Sequence, residues 1–105
     1  MTGDQVLLVL SALSNAHRLR ILSILHTSGR NYVSQLAREL GISRPLLHLH
    51  LQKLEAAGLV FSEPEVSASG KALNYFMVTG FCISLDPAGI AKAVETLSLS
   101  PLNSD

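Results

Sequence analysis

Residues 33–54 constrain this chain most, because two helical patterns meet there across a turn too short for anything but a steep crossing. The first pattern, over about residues 32–40, turns Leu36, Ala37 and Leu40 inward. Gly41 stops it, Ile42 fills the corner, and Ser43 can cap a second helix running to about Ala57. Pro45 falls in the first turn, where backbone N–H groups have no helical partner. Leu47, Leu51 and Leu54 keep the i, i+4, i+7 spacing of a buried face, and Gly58 ends the helix. Such a crossing needs a small residue at the close approach, a glycine in the turn and a hydrophobe to plug it. Ala37, Gly41 and Ile42 meet these needs, and the pair has the form of a helix-turn-helix.

The flanking segments complete a small domain. Val6–Leu10 with Ala12 and Leu13 predicts a first helix over residues 4–13, apolar nearly all round and so buried on more than one side. Ser14 or Asn15 can cap a second helix, 16–27, with Ile21, Leu22 and Leu25 on one face, Arg18 and Arg20 elsewhere, and Gly29 at its end. Leu59–Phe61, an irregular acidic stretch, a Gly-containing turn at Ser67–Lys71 and the segment Ala72–Thr79 predict a β-hairpin. Phe81, Ile83 and Leu85 alternate with Cys82 and Ser84, which predicts one more extended segment. Asp86 and Pro87 open a last helix, 87–98, with Ile90, Val94 and Leu97 on one face, and 100–105 read as a loose tail. The expected fold is mainly α with a small β-hairpin (α+β): five helices and a wing in one domain, 1–105. Residues 14–80 form its core, and 4–13 and 87–98 its terminal helices.

Composition adds two constraints. Hydrophobic residues make up 48% of the chain and charged residues 15%, so apolar surface is left over for contact with another chain. The net charge is zero but segregated. Residues 15–58 hold six bases (Arg18, Arg20, Arg30, Arg38, Arg44, Lys53) against Glu39 and Glu55, a net of +4, which leaves −4 for the rest. That concentration fits an electrostatic footprint on one face. No apolar run reaches the roughly 18 residues of a membrane span, and the N-terminus has neither the basic region nor the cleavage site of a signal peptide. A soluble cytoplasmic protein is the expectation. The single cysteine, Cys82, excludes an internal disulfide and reads as a small buried hydrophobe, or as a bridge between two chains.

Asn15-Ala-His-Arg-Leu-Arg-Ile-Leu, the helix-turn-helix, and Leu51-Gln-Lys-Leu-Glu-Ala-Ala-Gly-Leu-Val followed by the hairpin together resemble the ArsR/SmtB family of winged helix-turn-helix repressors. The resemblance covers most of residues 10–79. It implies a homodimer that binds operator DNA near its own gene and is often released by a metal or another effector. It also implies that the first and last helices build the dimer interface, for which Val6, Leu7, Leu10, Ile90, Val94 and Leu97 are the candidates. The chain departs from the family in three places. The third helix has no cysteine where thiolate-based sensors carry theirs, the last helix has no His or carboxylate pair at chelating spacing, and the wing is acidic at Glu63 and Glu65.

With Leu47, Leu51 and Leu54 inward, Ser43, Arg44, Pro45, His48, Leu49 and Gln52 fall on the face that a helix-turn-helix lays into the major groove. Arg44 is placed either to read guanine or to sit on a phosphate; His48 can hydrogen-bond a base or a phosphate. Leu49 either meets a thymine methyl or packs as a surface leucine. Arg18, Arg20 and Arg38 can touch phosphates, and Lys71 sits near the wing tip. His50 lies nearer the core as a hydrogen-bonded histidine, and it diverges from His48 two residues away. No two of His17, His26, His48 and His50 stand three or four residues apart, so no metal site and no cofactor are expected, and no effector can be named. No Gly-rich phosphate loop, Gly-x-Ser-x-Gly or carboxylate pair points to catalysis. Two functional classes remain: a sequence-specific double-stranded-DNA regulator, by resemblance a repressor, acting as a homodimer; or a winged-helix protein–protein module that never meets DNA.

Overall fold

Side-chain caps set where four of the described helices start. Thr2 Oγ1 accepts from Gln5 N at 3.2 Å while Gln5 Oε1 accepts from Thr2 N at 2.8 Å, a reciprocal box that opens α1 (Gly3–Leu13). Asn15 caps α2 (Ala16–Ser28), Ser43 caps α4 (Arg44–Ala56), and Asp86 caps α5 (Pro87–Val94). Gly41 ends α3 (Val33–Leu40) in the left-handed conformation at φ 68°, which lets Ile42 N donate back to Ala37 O at 3.1 Å. The computed structural model describes residues 1–99, so the tail expected at 100–105 lies outside it.

The core sits where α2, α3 and α4 meet the sheet. Ile21, Leu36, Leu47, Leu51, Leu54 and Leu59 are almost wholly buried there, joined by Ala37 and Phe76. The three predicted leucines of α4 are therefore its inward face. The sheet has three antiparallel strands in the order β1–β3–β2: β1 is Asn31–Tyr32, β2 Val60–Val66 and β3 Ala72–Val78. The hairpin β2–β3 is the wing.

Several sequence expectations need correction. The acidic stretch is not irregular: Glu63, Pro64 and Glu65 continue β2, opposite Tyr75, Asn74 and Leu73. Pro64 is tolerated because β2 is an edge strand with one row of backbone groups unpaired. β1 was not foreseen; its two residues pair with Phe76 and Tyr75. The segment 79–86 joins neither free edge of the sheet and has no regular structure. The last helix stops at Val94, with a turn through Thr96, rather than at 98. Within one chain α1 buries only the face of Gly3, Val9 and Ala12, leaving Leu7, Leu8 and Leu10 exposed, and Cys82 is exposed too.

The chain ends are tied together. Gly3 N donates to Thr96 Oγ1 at 2.9 Å, and Asp4 Oδ1 accepts from Ser98 N at 3.0 Å. Gly3 permits the approach: a Cβ there would stand 2.3 Å from the backbone oxygen of Ala93. Gly3→Ala is therefore expected to push α5 off α1 and to cost about 1–3 kcal/mol, the usual penalty of overpacking. Thermal unfolding measures it; an unchanged midpoint would show that the two helices are not held this closely.

Candidate nucleic-acid interface

The outer face of α4 is open. Arg44, Pro45, His48, Leu49 and Gln52 are all exposed, as are the cap Ser43 and, on the flank, Leu46. The wing leans over one side of this face. Arg44 and His48 share a cleft with Lys71, Ala72, Leu73 and Asn74 of the wing and with Tyr32, Val33 and Ser34 at the start of α3. A second, shallower cleft joins Arg44 and Ser43 to Arg38 across Gly41 and Ile42. Arg44 therefore borders both concavities, with exposed Lys71 on one side and exposed Arg38 on the other. This gathers three cations and one imidazole along one surface. The single ion pair among the described residues is elsewhere, so no carboxylate occupies these cations.

That ion pair explains the acidic wing. Arg30, in the connection from α2 to β1, binds Glu65 of β2. Its guanidinium lies over the Tyr75 ring, 4.3 Å from the centroid, and Tyr75 meets Tyr32 edge-on at 5.8 Å. One of the two wing acids is thus compensated, and the wing is fastened to β1 through stacked side chains. The sequence offered no sign of this, since β1 is too short to show a period.

Arg18 requires the one correction among the expected contacts. It is 8% exposed, and its guanidinium binds Ala12 O, Ser11 O and His50 Nδ1, so it is not available to a phosphate. The signal was present in the spacing: Arg18 precedes buried Ile21 and Leu22 by three and four residues, on the same face of α2. His50 lies on the inner side of α4, as expected, and is equally buried. Asn74, Ser34 and Tyr32, which line the cleft beside Arg44, were missed because only the sheet brings them there.

Away from this face, Leu7 and Leu10 of α1 and Ile90 and Val94 of α5 are exposed apolar residues, with Val6 and Leu97 half-buried beside them. Among the described residues no helix is long and apolar enough to cross a membrane, and no group of three or more His, Cys, Asp or Glu could hold a metal ion.

Comparison with known proteins places this architecture. Residues 13–62 match the family model of a helix-turn-helix domain. An HTH-type transcriptional regulator of Methanocaldococcus jannaschii is 39% identical over 84 residues, which is 80% of this chain and 86% of that protein. The crystal structure of a possible transcriptional regulatory protein fragment from Mycobacterium bovis is 29% identical, with a TM-score of 0.64 over 85% of this chain and 82% of that one. The solution structure of that fragment, matched over 85% of this chain and 70% of that one at the same TM-score of 0.64, is described as the homodimeric winged helix-turn-helix DNA-binding domain of a possible ArsR-family regulator. NolR from Sinorhizobium fredii, 27% identical, superimposes with a TM-score of 0.61 over 88% of this chain and 79% of its own.

Proposed function

This chain belongs to the ArsR-like winged helix-turn-helix transcriptional regulators, and from that premise we propose that it binds a specific double-stranded operator as a homodimer and represses transcription there. The observation that carries the reading is the meeting of Arg44, His48 and Lys71 in one cleft between α4 and the wing. Laid into the major groove, α4 would present Arg44 near its N-terminus, where a guanidinium can pair with guanine O6 and N7. Leu49, 57% exposed, would meet a thymine methyl. Arg38 and Lys71 flank that contact and would sit on phosphates, which position the helix without reading sequence.

The exposed apolar residues of α1 and α5 support pairing of two copies, the state named for the M. bovis domain. A two-fold dimer would set two α4 helices about 34 Å apart, one turn of DNA. A second reading, a protein–protein module, is favoured by Leu46 and Leu49 standing exposed on the same helix.

Two variants separate these readings and the two kinds of DNA contact. Arg44→Ala is expected to cost about 1–3 kcal/mol on the specific site and to relax preference at one position of each half-site. Lys71→Ala is expected to weaken specific and random DNA alike and to lower the salt slope by about one contact per chain. Titrations of genomic fragments and random duplex across a range of salt measure both. Equal losses for Arg44→Ala on both kinds of DNA would reduce Arg44 to a phosphate contact. No binding to any fragment at low salt would leave the protein–protein reading.

A further inference from the structure

Arg18 begins in the first turn of α2 but spends its guanidinium on two other helices. Nε donates to Ala12 O at 2.6 Å and Nη2 to Ser11 O at 3.2 Å. Both carbonyls lie in the last turn of α1, where intrahelical partners run out. Nη1 stands 3.1 Å from Nδ1 of His50, on the inner side of α4. A guanidinium has donors only and stays charged, so Nδ1 must accept. That requires a neutral ring with its proton on Nε2. Arg18 and His50 are each 8% exposed, so water cannot easily replace either partner.

We infer that the Arg18–His50 hydrogen bond is a positioning device that sets the base-reading helix α4 against α1, and that protonation of His50 releases it. This rests on the DNA-binding reading, because it concerns the helix proposed to enter the groove. The bridge spans a useful distance. α1 carries Leu7 and Leu10 of the apolar strip proposed for pairing, and His50 is one residue from Leu49 and two from His48 on the outer face. A single buried contact thus joins the pairing element to the reading element.

The surroundings of the ring favour a switch. Arg18 and His17 act on it from α2, and Lys53 from its own helix. The His17 ring lies 5.4 Å away, tilted by 42°, and its Nδ1 is buried without a partner. α1 contributes carbonyl oxygens through Arg18, and no carboxylate is among the groups acting on the ring. Burial first, then the electrostatic influence of Arg18 and of the other neighbouring groups, holds the His50 imidazole below the usual histidine range. At neutral pH the ring is an acceptor; once protonated it confronts Arg18 with a second donor, and the bond cannot persist.

Two variants and two readouts test this. His50→Asn puts an amide oxygen near the position of Nδ1 but cannot titrate; His50→Leu keeps bulk and removes the acceptor. In DNA-free protein, NMR pH titration should move the backbone amides of residues 44–52 with the midpoint of the His50 ring, and His50→Asn should abolish that movement. On random duplex at low salt, acidification from about pH 7.5 to below that midpoint should weaken the wild type about tenfold relative to His50→Asn, roughly the worth of one charge-assisted hydrogen bond. The comparison cancels protonation of His48, which is shared by both proteins. His50→Leu should bind less well than His50→Asn throughout the range. Identical pH profiles for wild type and His50→Asn, or α4 amides in the wild type that ignore the His50 midpoint, would overturn the inference. Amides that follow His50 in a protein binding no DNA at any pH would uphold the bridge and sink the DNA-binding reading instead.

Discussion

Leu47→Ala is expected to destabilise the domain by about 2–5 kcal/mol, while Leu49→Ala, two residues along the same helix, changes stability by about 0.5 kcal/mol or less. Leu47 is completely buried, among Leu36, Leu51 and Leu54, at the point where α3 and α4 cross. Truncation there removes apolar contacts and leaves a cavity that rigid neighbours fill only in part. Against a total stability of about 5–15 kcal/mol, that loss takes much of the margin. In a domain of this size it should lower the melting midpoint by roughly 10–30 °C. Leu49 is 57% exposed, and its loss should show in DNA affinity rather than in melting. Thermal and urea denaturation at one fixed protein concentration measure the pair, since dimer dissociation makes the midpoint concentration-dependent. Comparable destabilisation by both variants would mean that α4 is turned differently about its axis, and the assignment of its outer face would fail with it.

That orientation is legible in the sequence alone, because it rests on local spacing. Leu47, Leu51 and Leu54 repeat at the helical period, and Asn15, Ser43 and Asp86 are residues that cap helices wherever they fall. Gly41 at a short turn could hardly serve any other purpose. Features made by distant residues were not legible. β1 is two residues long and exists only because β3 offers it an edge. Pro64 and its flanking acids look like a break in a strand, and they pair regularly because only one side of β2 is in the sheet. The compensation of Glu65 by Arg30 joins residues 35 positions apart. Arg18 is the instructive miss. Its spacing marked it as inward, yet its charge argued for the surface, since an isolated buried cation is costly. The cost is met by the carbonyls of Ser11 and Ala12 and by His50 Nδ1, none of which a helical pattern in α2 can reveal.

The interface candidates carry the other large effect. Replacing Ile90 and Val94 together by Asp is expected to give a folded single chain whose affinity for its specific site is at least about a hundredfold lower. Both residues are exposed in the isolated chain, 50% and 57%, so the substitution leaves the core intact. In a two-fold dimer each would face a copy of the same strip, and the new carboxylates would be desolvated beside like charges, which opposes association. The loss on DNA follows from bivalency. When one half of a dimer is bound, the other is held near its half-site at high effective concentration, worth about 10²–10⁴ in affinity without any new contact. A single chain forfeits that factor. It also neutralises about half as many phosphates, so the slope of log affinity against log salt should fall by roughly half. This second readout separates loss of pairing from misfolding, which would abolish binding rather than halve its salt dependence. Sedimentation at micromolar concentration gives the mass, and titration of the same DNA at several salt concentrations gives affinity and slope. A variant that keeps twice the chain mass would remove Ile90 and Val94 from the interface. A single-chain variant that binds as tightly as the parent, with the full slope, would show that one copy of this domain occupies DNA unaided.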